Sequence, residues 1–220
     1  MCGRFALNTT EDELRAQFLV KNSFVFKAKY NISPGQIIPA FILNKLGQTE
    51  LVFMQWGFVP SWKKETNSKG YSNARLETVL EKPTFKQAFL KNRCLIPATG
   101  YYEWQVIHQR KQPFFIYLKN QPLFAMAGIW APASEASLLP TCAILTEEAE
   151  KESEMAKIHE RMPVIVPPLG YTNWLNTQIK KEAVILDELL PKETALCYFP
   201  VSIQVNSPQF DHPDCLRALS

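Results

Sequence analysis

Apolar positions fall in short runs separated by turn residues, a pattern that predicts many brief strands with a few helices between them. Thr10-x-x-Glu13 reads as a capping box, with Leu14 and Phe18 one turn apart behind it, so a helix is predicted over roughly 10–19. Tyr30 to Gly35 reads as a turn. Ile37–Leu43 and Glu50–Phe58 then form a hairpin across Asn44-Lys45-Leu46-Gly47. The polar stretch Lys63–Gly70 reads as a surface loop. Pro83 opens a helix carrying Phe85 and Phe89 on one face. Arg93–Trp104 is strand-like, and Pro113–Leu118 with Pro122–Trp130 suggests a second hairpin around Asn120-Gln121. A strand over Thr141–Thr146, a charged helix from Glu147 to about Lys157 and a strand over Met162–Val166 follow. Helices near Tyr171–Gln178 and Lys181–Leu190 and a strand over about Ala195–Ser202 close the chain. Without a regular strand–helix–strand rhythm, the expectation is one α+β domain over 1–220 with a mainly antiparallel sheet.

Composition narrows the function classes. With 24 basic and 21 acidic residues the net charge is only +3, so any polyanion must meet a local patch rather than a global field. Sixteen prolines against eight glycines suit stiff connections and strands. The five cysteines, at 2, 94, 142, 197 and 215, include no CxxC pair, and there are three histidines, so neither a metal nor another cofactor is expected. Odd, scattered cysteines in apolar stretches read as free thiols in a reducing compartment. With no apolar leader segment and no 18-residue apolar run, the expected location is cytoplasmic, with no membrane partner.

The first five residues, Met1-Cys2-Gly3-Arg4-Phe5, carry the chemistry of greatest interest. The small Cys2 predicts removal of Met1, which leaves a free α-amine and a thiol on one residue. In peptides these groups titrate near ~8 and ~8.5, so modest tuning makes both reactive at neutral pH. An aldehyde reacts with both, giving an imine and then a thiazolidine; an amide or ester carbonyl is an alternative target, as in N-terminal-nucleophile hydrolases. Asn73-Ala74-Arg75-Leu76-Glu77-Thr78 combines an amide, a cation and a carboxylate, or is a turn with surface charges. Glu103, among aromatics, either pairs with a cation or has a raised pKa suited to proton transfer. His159, ahead of Arg161-Met162-Pro163, is structural or a proton carrier near pH ~7.

Taken together, these stretches resemble one family. Met-Cys-Gly-Arg-Phe, Trp56-Gly-Phe-Val-Pro-x-Trp62, Asn73-Ala-Arg-x-Glu-Thr78, Arg93-Cys-Leu-Ile-Pro-Ala-x-Gly-Tyr-Tyr-Glu-Trp104, His159-x-Arg-Met-Pro163 and Pro200-Val-Ser-x-x-Val-Asn206 are similar, in order, to motifs of the SOS-response-associated peptidase (SRAP) family. The resemblance implies a barrel-like core with flanking helices. It also implies a protein that crosslinks itself to abasic sites in single-stranded DNA, including single-strand/duplex junctions, acting as a monomer that joins the nucleoid when bound. Autopeptidase and abasic-site lyase activities are implied beside the crosslinking.

Carried over by position, Cys2 matches the crosslinking residue, Asn73 the amide that holds the crosslink, Glu103 the carboxylate beside the N-terminal amine and His159 the histidine at the sugar. Arg4, Arg75 and Arg161 match positions at DNA phosphates, Pro34 one that lines the DNA path, and Trp62 and Phe85 the wedge that interrupts stacking. One departure is Glu150 where relatives usually carry Asn; with Glu147 and Glu148 it would repel phosphate, which leaves the strand's path there open. Three other readings remain. An N-terminal-cysteine amidotransferase should show Gly-His-x-Arg and Asn-Gly motifs, which this chain lacks. A self-processing peptidase would remove its own Met1. A non-covalent single-strand binder would use Trp62, Phe85 and arginines.

Overall fold

The protein is described by a computed structural model covering residues 2–64, 70–179, 185 and 196–219. Met1, most of the polar stretch after Trp62 and, apart from Ile185, the helix expected over Lys181–Leu190 lie outside these residues.

Among the described residues, thirteen strands form two sheets. In the larger, β3 (Ile37–Leu43) pairs antiparallel with β4 (Thr49–Trp56) and with β6 (Arg93–Ala98). β9 (Phe124–Ala131) continues from β6 and meets β10 (Thr141–Glu148), and β10 returns parallel to β4. The circuit β3–β4–β10–β9–β6 therefore closes on itself, so its strands have no open edge along those ladders. The buried residues on one face of these strands include Met54, Trp56, Ile96, Met126 and Ile144, while Phe41, Leu95 and Ile129 are buried on the other face, where Phe41 stacks on Phe18. β5 (Asn73–Arg75), β11 (Arg161–Pro163) and β12 (Ile165–Val166) fringe this barrel. The second sheet runs β13 (Leu196–Pro200), β8 (Arg110–Leu118), β7 (Gly100–Ile107), β1 (Phe5–Leu7), β2 (Lys29–Ile32). The architecture is α+β and mainly antiparallel, as expected, with two parallel pairings at β10.

Local signals predicted the helices best. The Thr10 hydroxyl accepts from the Glu13 amide and the Glu13 carboxylate accepts from the Thr10 amide, which starts α1 (Glu11–Phe18). Pro83 opens α2 (Pro83–Lys91), whose backbone and that of α4 (Tyr171–Leu175) satisfy Arg93. That buried guanidinium donates to the carbonyls of Phe89, Trp174, Asn176 and Ile179 at 2.6–3.1 Å, so no carboxylate is needed.

Several strand expectations are corrected. Tyr30–Ile32 belongs to β2, and only Ser33–Gln36 turns. Arg93–Trp104 is two strands in different sheets, broken at Thr99. Just after the break, a Cβ on Gly100 would lie 2.1 Å from the Phe115 ring and 2.7 Å from the Ile116 carbonyl, so the close approach of β7 to β8 at this point requires glycine. The second hairpin does not form, because β8 joins the small sheet and β9 the barrel. The charged helix shrinks to α3 (Glu154–Ile158), since β10 runs on to Glu148 by pairing with β5 and β11. The strand over Met162–Val166 divides into β11 and β12 at Val164, whose backbone bonds both Leu145 and Ala127.

Candidate active site

Cys2 lies where the N-terminal strand leaves its sheet. Phe5 pairs with Tyr101 and Ala6 with Gly100, and the Tyr102 amide donates to the Arg4 carbonyl. The chain before Arg4 therefore runs beside β7 toward Glu103, and Cys2 is fully buried. Strand alternation points Tyr101 and Glu103 to one face of β7 and Tyr102 and Trp104 to the other. The acidic group of the motif thus shares a face with the N-terminal residue's neighbourhood.

Asn73 approaches from the barrel. β5 lies parallel to β10, with Asn73 opposite Ile144, and the Asn73 amide nitrogen donates to the Cys2 carbonyl at 2.9 Å. Its buried Oδ1 has no hydrogen-bond partner among the described residues, an acceptor held ready for a donor. His159 caps α3 just before β11. The Arg161 amide donates to its Nδ1 at 3.0 Å, which assigns the proton of the neutral ring to Nε2. That Nε2 faces Glu103 Oε2 at 3.9 Å, too far for a direct hydrogen bond.

Burial governs the titrations. It raises Glu103 from an ordinary 4.5 to about 7, against the opposing pull of the positive amino terminus. Burial also pushes the Cys2 thiol far up, with Glu103 adding to the effect. The thiol is thus protonated in the closed site, not the mildly tuned group expected from sequence. His159 is pushed down by burial and by the amino-terminal charge, so at neutral pH it is an uncharged hydrogen-bond donor. Beneath them the Tyr101 hydroxyl is buried without a hydrogen-bond partner among the described residues, and it interacts electrostatically with Cys2, Glu103 and Glu147.

An amide, a near-neutral carboxylate and an uncharged imidazole thus converge from three elements on Cys2. Residues 1–208 match the family model described as SOS response associated peptidase (SRAP). The chain is a member of the SRAP family. The abasic site processing protein YoaM of Bacillus subtilis is 36% identical, over 99% of this chain and 98% of that protein. The abasic site processing protein HMCES of Gallus gallus is 32% identical, over 87% of this chain and 66% of that protein. Among solved structures, a protein from Bacteroides thetaiotaomicron superposes with a TM-score of 0.85 at 23% identity, over all of both chains, so the fold is shared.

The other SRAP motif residues divide into surface and scaffold. Pro34, Arg75 and Trp62 are exposed, Trp62 to 67%. Trp62 sits on a loop closed at its base by the Phe58–Tyr71 bridge, where a Cβ on Gly70 would meet the Gly57 carbonyl at 2.0 Å. Phe85, the other residue matched to the wedge, packs half-buried under that bridge, 5.8 Å from the Phe58 ring and 5.4 Å from the Tyr71 ring. Arg4 and Arg161, expected at phosphates, have internal partners. Arg4 donates to Asn31 Oδ1 at 2.8 Å and to the Val205 carbonyl. Arg161 is 4% exposed and donates to Glu77 at 2.9 and 3.2 Å and to Thr146. The Pro200–Asn206 motif is explained in the same way, since Val205 receives Arg4 and Asn206 Oδ1 receives the Trp104 indole at 2.7 Å.

Sequence reading missed Glu77 and Tyr101. Glu77 holds the Arg161 side chain and also accepts from the Glu148 amide, while the Arg161 backbone orients His159. The Asn73–Thr78 motif contains this carboxylate, but its partner lies 84 residues away. For Tyr101, period-two spacing from Glu103 was the available signal. Glu77→Ala strips Arg161 of its carboxylate and should cost about 1.5–3 kcal/mol, a Tm loss of roughly 3–12 °C in thermal denaturation. Glu77→Gln, which still accepts, should recover most of it.

Proposed function

We propose that this protein recognises abasic sites in single-stranded DNA and joins itself to them through Cys2 after Met1 is removed. The observation that carries this reading is the meeting of Asn73, Glu103 and His159 at the buried Cys2. The printed names of its SRAP relatives, abasic site processing proteins, agree with it.

The chemistry follows from the protonation states. Glu103, near pKa 7, takes a proton from the Cys2 α-ammonium. The freed amine attacks C1′ of the ring-opened sugar, forming the C–N bond while a proton passes from that nitrogen to the aldehyde oxygen. Protonated Glu103 returns its proton to the departing hydroxyl, water leaves and a protonated imine remains. The Cys2 sulfur then adds to the imine carbon, and the thiol proton ends on the nitrogen. Aldehyde and cysteine become thiazolidine and water. His159 directs its Nε2–H at the sugar oxygen, and Asn73 Oδ1 accepts from a sugar hydroxyl. Burial of the thiol orders the steps: the amine reacts first, and the thiol closes the ring once the imine offers its proton a destination.

Incubation with abasic single-stranded oligonucleotide should give a band that survives denaturing electrophoresis, with a mass equal to protein lacking Met1 plus DNA minus one water. No adduct, or one on protein that retains Met1, overturns the reading. Non-covalent contacts should separate by salt. Arg75→Ala should flatten the slope of log K against log salt by about 0.7. Trp62→Ala should cost roughly 1–3 kcal/mol with the slope unchanged, most strongly at a single-strand/duplex junction. Fluorescence anisotropy across a salt series checks both.

A further inference from the structure

Two depressions lie on the β7–β8 side of the site. One, about 380 Å³, is lined by Glu103, Trp104, Lys111, His159 and Asn206 and opens directly on the reacting groups. The other, about 570 Å³, is lined by Ile107, His108, Arg110, Lys111, Gln112 and Ile203 at the tip of the hairpin. Lys111 lines both, so they meet at its side chain.

The floor is fixed. Ile107 pairs with Arg110 across a two-residue turn in which His108 and Gln109 both have positive φ, the geometry of a tight hairpin. Gln112 bonds the Val201 carbonyl at 2.9 Å and ties β8 to the segment that carries Ile203. Ile203, which shares that lining with both cations, is 64% exposed, and Val106, paired with Lys111, is 67% exposed, with Ile107 more sheltered.

Charge distinguishes this side from the other flank. There, a depression of about 400 Å³ is lined by Arg75, Glu148, Ala149, Lys151, Ala156, Glu160 and Arg161. It carries two carboxylates, and its Arg161 is already paired with Glu77. The hairpin depression is lined by two cations and no carboxylate. A polyanion leaving the site is repelled less and attracted more along β7–β8.

We propose that this groove is a binding site for one arm of the single-stranded DNA flanking the abasic nucleotide, with Arg110 and Lys111 at its phosphates and Val106 and Ile203 against its sugars and bases. The proposal rests on the abasic-site reading and adds the path of the strand. Two cations on a fixed hairpin, joined to the reacting groups by a shared lining residue, suit a backbone whose charges recur along its length.

The test is non-covalent affinity for oligonucleotides carrying a tetrahydrofuran abasic-site analogue at the centre, near the 5′ end or near the 3′ end. The analogue has no aldehyde, so binding is read apart from crosslinking. Arg110→Ala/Lys111→Ala should weaken binding of the central-site oligonucleotide and flatten its salt slope by about 1.4, two phosphate contacts at about 0.7 each. On one of the end-site oligonucleotides, which lacks the arm in question, the variant and the wild type should bind alike. Arg110→Lys/Lys111→Arg should restore the central-site slope. Equal affinity of variant and wild type for all three, or equal loss on all three, overturns the groove. Failure of the underlying reading shows differently, as absence of any wild-type adduct with true abasic DNA.

Discussion

Cys2→Ala should form no heat-stable adduct with abasic single-stranded DNA. The variant keeps its α-amine, so borohydride should still trap an imine, and loss of the trap separates the two nucleophiles. Because Cys2 is fully buried, the smaller alanine leaves a void about the size of a sulfhydryl and the fold should persist. Retained affinity for a tetrahydrofuran oligonucleotide checks that point. A heat-stable adduct on Cys2→Ala would place the attachment on another residue. Mapping the wild-type adduct by peptide mass should locate it on Cys2.

Glu103→Gln should slow adduct formation by roughly 10²–10⁴, because the amide keeps the shape but takes no proton. In the wild type, the rate should rise as pH increases through about 7, where Glu103 becomes the base, and the variant should lack that limb. Stability should move the opposite way. The folded pKa lies above the ordinary 4.5, so between these values the folded state binds more protons than the unfolded one. Stability from this group is therefore present below pH ~4.5 and lost as pH rises through about 7. The difference corresponds to at most about 3 kcal/mol, or a Tm change of roughly 6–12 °C. At pH 8, Glu103→Gln should melt higher than the wild type and should lose this part of the pH dependence. Lower melting of the variant at pH 8 would mean that Glu103 stabilises the fold as a charge. Together the rate and the melting curve distinguish a base held in a costly environment from a structural ion pair.

How far the site was legible depended on the range of the forces that build it. The capping box at Thr10 and Glu13, the proline start of α2 and the β3–β4 hairpin each rest on residues close in sequence, and their chemistry specifies them locally. Cys2, Asn73, Glu103 and His159 were named from residue type and from the resemblance of their motifs to the SRAP family. What those groups are poised to do was not legible. The carboxylate near pKa 7, the protonated thiol and the uncharged histidine follow from burial, which the barrel and the small sheet create between them. Arg4 and Arg161 have the same side chain as Arg75, yet the first two are held by Asn31, Val205, Glu77 and Thr146 while Arg75 is exposed. The sheet to which β8 belongs was likewise invisible locally, since Pro113–Leu118 can pair with any strand of matching pattern. The sequence by itself determined the helix starts and the short-strand character, through local bonding, and named the candidate site residues through the resemblance of their motifs. Only the tertiary structure decided the register of the sheets, the charge states at Cys2 and which arginines face outward, because desolvation and partner choice depend on contacts between segments far apart in the chain.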